Sequence, residues 1–180
     1  MFTIERIEIG RNEDAWEFAT EIVVDILNGK FLGSGVFGST YKVGDEVIKI
    51  FRDDTGYSSY LRELSKQEKQ NSFAPVINWV KVIDDGYDPT TMVSMEPLRS
   101  VSQLRGNVRK TFNKVVDHID DLVHGNTLYL KYETPAELKE LAGVIRMAKK
   151  NSQRDGYDLH NENIMLRANN SIVITDPLAY

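Results

Sequence analysis

The hydrophobic pattern of the chain changes close to residue 99. Over residues 74–98, apolar and polar residues alternate, which is typical of half-buried strands. Beyond Ser100, apolar residues recur at the three- and four-residue spacing of an amphipathic helix. A sheet-rich half followed by a helix-rich half predicts an α+β fold with two lobes. A cleft between two such lobes is a favoured place for a ligand.

The N-terminal segment, residues 1–29, is predicted as a helical extension. Its helix spans 12–28, with Asn12 as the capping residue and Gly29 as the stop. The apolar stripe expected to be buried consists of Trp16, Ala19, Val23, Ile26 and Leu27.

Residues 30–99 are predicted as an antiparallel sheet lobe that contains one helix. A two-residue hairpin turn is expected at Gly44-Asp45. The predicted elements are, in order, strands 31–43 and 46–51, a helix over 57–70, and strands 76–83 and 91–96.

Residues 100–180 are predicted as a reduced helical lobe. One helix ends at Gly125, and a second is expected to begin with a capping box formed by Thr134 and Glu137. Two short strands, 163–167 and 171–175, follow a polar loop.

Composition and charge exclude several classes of function. The net charge of −5 argues against a nucleic-acid binder that works through a general positive field. The absence of cysteine excludes disulfides and thiolate chemistry. The N-terminus lacks a basic-then-apolar leader, and no apolar run reaches the roughly 18–20 residues that span a bilayer. We therefore expect a cytoplasmic protein with no membrane and no direct nucleic-acid partner.

A glycine-rich stretch, "GSGVFG", contains Gly33, Ser34, Gly35 and Gly38. In a dinucleotide-binding fold such a motif opens a helix, whereas here a strand-like run follows it. That context favours a flap between two antiparallel strands, in which backbone N–H groups approach phosphate oxygens. A glycine-rich β-turn without ligand is the alternative.

Charged and amide side chains in three later segments suggest the same chemistry. Lys49 lies within the apolar run "EVIKI", where it could face an anion in a cleft or simply solvent. Asp158, Asn163 and Asp176 would supply three oxygen ligands for Mg²⁺ from adjacent loops. Asp158 could also orient a substrate hydroxyl. The alternatives are turn-forming polar residues and a hydrogen-bonded carboxylate at a strand end.

The order and spacing of these motifs resemble those of a protein kinase from Phe31 to Asp176. "EVIKI" resembles the strand with the phosphate-binding lysine, "DLHNENIML" the catalytic loop, and "ITDP" the segment with the metal-binding aspartate. "MVSMEPL" resembles the gatekeeper and hinge. The short forms of the last motifs are most similar to those of the early-gene serine/threonine protein kinases of lytic podophages.

The resemblance implies ATP and Mg²⁺ as cofactors and a role for each site residue. Those roles are phosphate covering by Gly33, Ser34, Gly35 and Gly38; α/β-phosphate binding by Lys49; the gatekeeper position of the nucleotide site at Met95; adenine contact by Glu96, Pro97 and Leu98; hydroxyl orientation by Asp158; γ-phosphate contact by His160; and metal binding by Asn163 and Asp176. Glu63 is favoured over Glu68 as the partner of Lys49, with a solvated helix charge as the alternative.

Several positions depart from the kinase pattern. Tyr157 replaces the arginine that reads a phosphorylated loop, and Pro177 and Leu178 follow the metal-binding aspartate. His160 stands where most protein kinases carry lysine. The sequence continues for only four residues beyond Asp176, so the N-terminal helix, a dimer partner or the target would have to supply a peptide platform.

The resemblance further implies bacterial host proteins of transcription or RNA processing, and the chain itself, as substrates. Two alternatives remain open at this stage. One is a kinase-like nucleotide-binding module that inhibits a host protein without phosphate transfer, and the other is a phosphotransferase for a small molecule.

Overall fold

The computed structural model describes residues 2–11, 13–126, 134–160 and 162–179. The chain forms two compact units, each built from two segments. The first contains Met1–Asp54 and Val76–Pro97, and the second contains Thr55–Pro75 and Leu98–Tyr180. Sheet and helix are largely segregated along the chain, so the predicted α+β class is confirmed.

The first unit is a six-stranded sheet covered by one helix. Its elements are β1 (Ile4–Glu8), α1 (Ala15–Glu21), β2 (Lys30–Ser34), β3 (Gly38–Val43), β4 (Glu46–Arg52), β5 (Ile77–Asp84) and β6 (Thr90–Met95). The strand order is β1-β5-β6-β4-β3-β2. β1 pairs parallel with β5 and the other pairs are antiparallel, so the sheet is mixed, not antiparallel throughout as predicted. Sequence reasoning missed β1 altogether.

The helix α1 and the helical turn that follows it bury three apolar residues against one face of this sheet. Ala15, Ala19 and Val23 are fully buried and belong to one core cluster with Ile48 and Ile50 of β4. Their four-residue spacing places them on one side of the helix. Asp14 caps α1 by accepting hydrogen bonds from the N–H groups of Trp16 and Glu17.

The predicted apolar stripe of the first helix is only partly correct. After Glu21 the chain continues as a π-helical turn over Ile22–Ile26, which changes the angle between successive side chains. Ile26 and Leu27 are consequently exposed. The predicted cap Asn12 lies outside the described residues.

The second unit combines helices with a small hairpin. Its elements are α2 (Thr55–Ser65), α3 (Gly106–His124), α4 (Ala136–Ser152), β7 (Ile164–Leu166) and β8 (Ile172–Ile174). α2 packs mainly on α4, and β7 pairs antiparallel with β8. α3 ends at Gly125 as predicted, because that residue adopts the left-handed conformation of a C-cap.

Other boundaries differ from the prediction. The run 31–43 forms two strands, β2 and β3, separated by the glycine stretch, and α2 ends at Ser65, not near residue 70. The predicted capping box is absent, because Pro135 is the N-cap of α4 and the Thr134 hydroxyl lies 2.8 Å from His118 Nε2. Residues 55–75, expected in the sheet lobe, group with the second unit. Within the described ranges, no helix has the length and apolar character to cross a membrane.

Candidate functional site

The backbone of the second unit brings Asp158 beside the segment that contains Asp176. Residues 156–158 run antiparallel to residues 177–179 through a bridge between Tyr157 and Leu178. The N–H of Asp158 donates to the carbonyl of Pro177 at 2.8 Å. The two aspartates predicted from separate motifs are thus held on adjacent backbone segments.

The carboxylate of Asp158 is held by two side chains of its own loop. Asn163 Nδ2 donates to Asp158 Oδ2 at 2.9 Å and to the Asp158 carbonyl at 3.1 Å. His160 Nε2 lies 3.1 Å from Asp158 Oδ1. His160 Nδ1 accepts from the N–H of Glu162, which in the neutral ring leaves the proton on Nε2, where it donates to Asp158. Three residues predicted for catalysis and metal binding therefore form one hydrogen-bonded cluster.

Thr175 fixes the backbone of Asn163 and was missed by sequence reasoning. Both its N–H, at 2.8 Å, and its hydroxyl, at 3.0 Å, donate to the carbonyl of Asn163. Asn163 also donates its own N–H to the carbonyl of His160. The sequence signal for this contact was the threonine directly before Asp176 in "ITDP". Its hydrogen bonds connect the end of β8 to the loop of Asp158.

Tyr60 of α2 is a second residue that the sequence did not single out. It is completely buried, and its hydroxyl donates to the carbonyl of Ile174 at 2.9 Å. Burial, and secondly the negative charge of Asp176, raise the pKa of Tyr60 well above its ordinary value. The tyrosine thus stays neutral beside Asp176 and anchors the strand that precedes it.

The donor set at these loops fits Mg²⁺. No group of three or more His, Cys, Asp or Glu side chains in the described ranges is arranged to hold a metal ion. Mg²⁺ does not require one, because it takes one or two carboxylates, keeps waters and binds phosphate oxygens. Asn163 directs its NH₂ group to Asp158, so its Oδ1 would be the atom that binds the ion, and Asp176 would supply the carboxylate.

The glycines of the first unit divide into two kinds. A Cβ on Gly38 would lie 2.2 Å from the carbonyl oxygen of Ile50, so the pairing of β3 with β4 requires glycine there. A Cβ on Gly33 or Gly35 would meet nothing within 4 Å, and neither has a left-handed backbone. Ser34 pairs with Ser39 where β2 ends. The fold thus explains Gly38 and leaves Gly33 and Gly35 without a structural requirement.

Lys49 lies on the face of the sheet that α1 does not cover. Its neighbours across the sheet are Thr40 and Val93, and side chains directly opposite each other share a face. Its ammonium is 5.5 Å from the ring centroid of Phe51, and the side chain is half-buried. The alternative that Lys49 simply faces solvent is therefore wrong, because its side chain is half-buried.

The hinge residues predicted for adenine lie at the end of the sheet. Met95, the last residue of β6, is buried. The N–H of Glu96 donates to the carbonyl of Val76, and the Glu96 carboxylate accepts from the N–H of Val76. Leu98 begins the second segment of the second unit.

Glu63 is buried in α2 and is engaged within the second unit. Its carboxylate accepts from Lys66 Nζ at 2.5 Å and from Asn151 Nδ2 of α4 at 2.9 Å. Since only 7% of Glu63 is exposed, the alternative of a solvated helix charge is wrong. Glu68 lies beyond the end of α2. The predicted pairing of Glu63 with Lys49 stays a prediction.

Comparisons of the sequence with protein-family models and with curated proteins found no match.

Proposed function

We propose that the protein is an ATP- and Mg²⁺-dependent serine/threonine protein kinase whose two units form a bilobal kinase-like fold. The observation that carries the proposal is the cluster of Asp158, His160 and Asn163, anchored beside Asp176. Catalysis of phosphoryl transfer is mostly positioning and charge stabilisation, so a pre-positioned carboxylate is the group to expect.

The cluster suits the orientation of a substrate hydroxyl. Each oxygen of Asp158 already has one hydrogen-bond donor, Oδ1 from His160 and Oδ2 from Asn163, which fixes the plane of the carboxylate. A carboxylate oxygen has further lone pairs and can accept a hydroxyl proton within hydrogen-bond reach. Mg²⁺ bound through Asn163 Oδ1 and Asp176 would neutralise phosphate charge.

Two features of the first unit, the position of Lys49 and the open space at the glycines, support the nucleotide binding that this proposal requires. The glycine stretch joins β2 to β3, and Lys49 lies on the next strand, opposite Thr40, which in turn pairs with Gly33. This register places the lysine two strands from the glycines, as a phosphate-binding flap requires. Gly33 and Gly35 have open space where a side chain would be, which lets a phosphate approach the backbone.

The test is phosphate transfer from γ-labelled ATP with Mg²⁺, to the protein itself and to proteins of a bacterial lysate. We expect Asp158→Asn and Asp176→Asn each to lower the labelling rate at least about a hundredfold. Asp155→Asn is the matched control, because that exposed carboxylate lies in the same loop outside the cluster. Labelling by Asp158→Asn at the wild-type rate would overturn the proposal.

A second candidate is a nucleotide-binding module that blocks a host protein without transferring phosphate. It is favoured by the engagement of Glu63 with Lys66 and Asn151, because active kinases use such a glutamate to hold the phosphate-binding lysine. Calorimetric ATP binding combined with no labelling by the wild type would establish this candidate. Substitution of Asp158 should then leave inhibition of the target intact.

A further inference from the structure

The exposed face of α3 carries its charges in an order that is unfavourable for an isolated helix. The N-terminal half is basic, with Arg109, Lys110 and Lys114 after the capping residue Arg105, and the C-terminal half carries Asp117, Asp120 and Asp121. The helix macrodipole is positive at the N-terminus and negative at the C-terminus, so both halves repel the nearer helix end.

Four of these charged residues form a stripe. Lys110 and Lys114 are four residues apart, as are Asp117 and Asp121, and at 3.6 residues per turn all four lie within an arc of about 60°. Each pair therefore places like charges on neighbouring turns, which further destabilises the helix. Asp121 is half-buried and the other three are exposed.

The remaining charged residues of α3 have partners in their own chain. Arg109 donates to the carbonyl of Val101 and lies 5.8 Å from the ring of Phe112. Asp120 pairs with His124 at 3.4 Å. By contrast, none of the side chains of Lys110, Lys114, Asp117 and Asp121 forms an ion pair or hydrogen bond among the described residues. Within the described residues, the stripe is thus the part of α3 whose charges have no ion-pair partner.

The spacing of the stripe is self-complementary. If two α3 helices lie antiparallel with a two-fold axis between residues 115 and 116, Lys110 faces Asp121 and Lys114 faces Asp117. The same contacts recur on the other side of the axis, which gives four ion pairs in an isologous interface. The opposed macrodipoles of antiparallel helices also attract each other.

We propose that the Lys110, Lys114, Asp117 and Asp121 stripe is a homodimer interface, in which α3 of one copy pairs antiparallel with α3 of a second copy. A single helix pair buries less area than a standard stable interface, so the dimer is weak, with a dissociation constant of the order of 10–100 µM at low salt. Exposed charge pairs are screened by salt, so the dimer should weaken strongly between about 0.05 and 0.5 M NaCl.

The test uses sedimentation equilibrium of the full chain and two charge-reversal variants. K110E/K114E makes the stripe acidic throughout, and D117K/D121K makes it basic throughout. We expect each variant alone to dimerise about a hundredfold more weakly, because each reversal acts twice in a two-fold interface. An equimolar mixture should form a heterodimer at least as tight as the wild-type dimer, since all four contacts are then between opposite charges.

The matched control for K110E/K114E is K139E/K150E, which reverses two exposed lysines of α4 and changes the net charge by the same amount. This variant should dimerise like the wild type. Circular dichroism checks that every variant is folded. The equimolar mixture of the two charge-reversal variants is a second check, because a misfolded variant would not form the heterodimer. A monomeric wild type at about 500 µM and low salt would overturn the proposal. So would loss of the dimer in the control, or a mixture that stays monomeric.

Discussion

The loop of Asp158 and the glycine-rich stretch are both predicted phosphate-transfer elements, but they are built in opposite ways. In the loop, the side chains of His160 and Asn163 hydrogen-bond to the Asp158 carboxylate, and the Thr175 hydroxyl donates to the carbonyl of Asn163. In the glycine stretch, Gly33 and Gly35 have neither a neighbour that excludes a side chain nor a backbone that requires glycine. Side-chain hydrogen bonds organise the first element, whereas no contact or backbone conformation in the fold requires glycine at positions 33 and 35 of the second.

Gly38→Ala should have the largest effect on stability, because Gly38 is the glycine of the stretch that the fold does require. The new Cβ would meet the Ile50 carbonyl and the Phe51 side chain, so β3 and β4 must separate. We expect a loss of about 2–3 kcal/mol in the free energy of unfolding, measured by urea denaturation. A loss below about 0.5 kcal/mol would show that β3 and β4 can shift apart at little cost. The fold would then require glycine at position 38 no more than at positions 33 and 35.

Asn163→Ala tests whether the loop of Asp158 is organised by its own side chains. The substitution removes both hydrogen bonds from the amide to Asp158 and leaves the carboxylate with fewer donors. We expect a loss of about 1–3 kcal/mol in the free energy of unfolding. Asn107→Ala, at an exposed position of α3, is the control and should be nearly neutral. Equal effects of the two substitutions would contradict a self-organised loop.

Tyr60→Phe tests the packing behind Asp176 through its pH dependence. The folded state raises the pKa of Tyr60 above its unfolded value of about 10, so the folded chain retains the proton that the unfolded chain releases. The associated stability is complete below pH 10 and is lost as pH rises above that value. We expect wild-type stability to fall as pH rises above about 10, and to fall less steeply in Tyr60→Phe.

Tyr60→Phe should also cost about 1 kcal/mol at pH 7, because the hydroxyl no longer donates to the Ile174 carbonyl. The free energy of unfolding of the variant should still fall somewhat at alkaline pH, because burial also raises the pKa of Tyr157. If the free energy of unfolding fell equally with pH in the wild type and the variant, Tyr60 would ionise as readily in the folded state as in the unfolded state.

Local sequence patterns were sufficient for most of the fold. The hairpin turn at Gly44-Asp45 located the start of β4, the alternation over residues 74–98 located β5 and β6, and Gly125 marked the end of α3. The patterns failed where distant residues decide the outcome. β1 is stabilised by pairing with β5, about 75 residues later in the chain, and the π-helical turn after Glu21 redirects side chains that a regular helix would bury.

The candidate site shows the same division between local and distant information. Asp158 and Asn163, five residues apart, were predicted from one motif, and the structure joins them by hydrogen bonds. Tyr60 reaches the same loops from α2, outside every motif, and Thr175, although it stands in "ITDP", acts on Asn163, twelve residues earlier in the chain. Glu63 was chosen for the partner it could offer Lys49, but its burial against Asn151 of α4 follows from packing that the sequence does not display.

Gly35→Ala should have the smallest effect on stability and is the most direct test of the glycine stretch. Because the added methyl group meets open space, the variant should gain about 0.4–1 kcal/mol through lower entropy of the unfolded chain. ATP affinity, measured by calorimetry, should nevertheless fall, since the methyl group occupies the space through which a phosphate approaches the backbone. Gly44→Ala is the control: its left-handed backbone should make it destabilising without changing ATP affinity. Unchanged ATP affinity in Gly35→Ala would mean that the glycine serves only the turn.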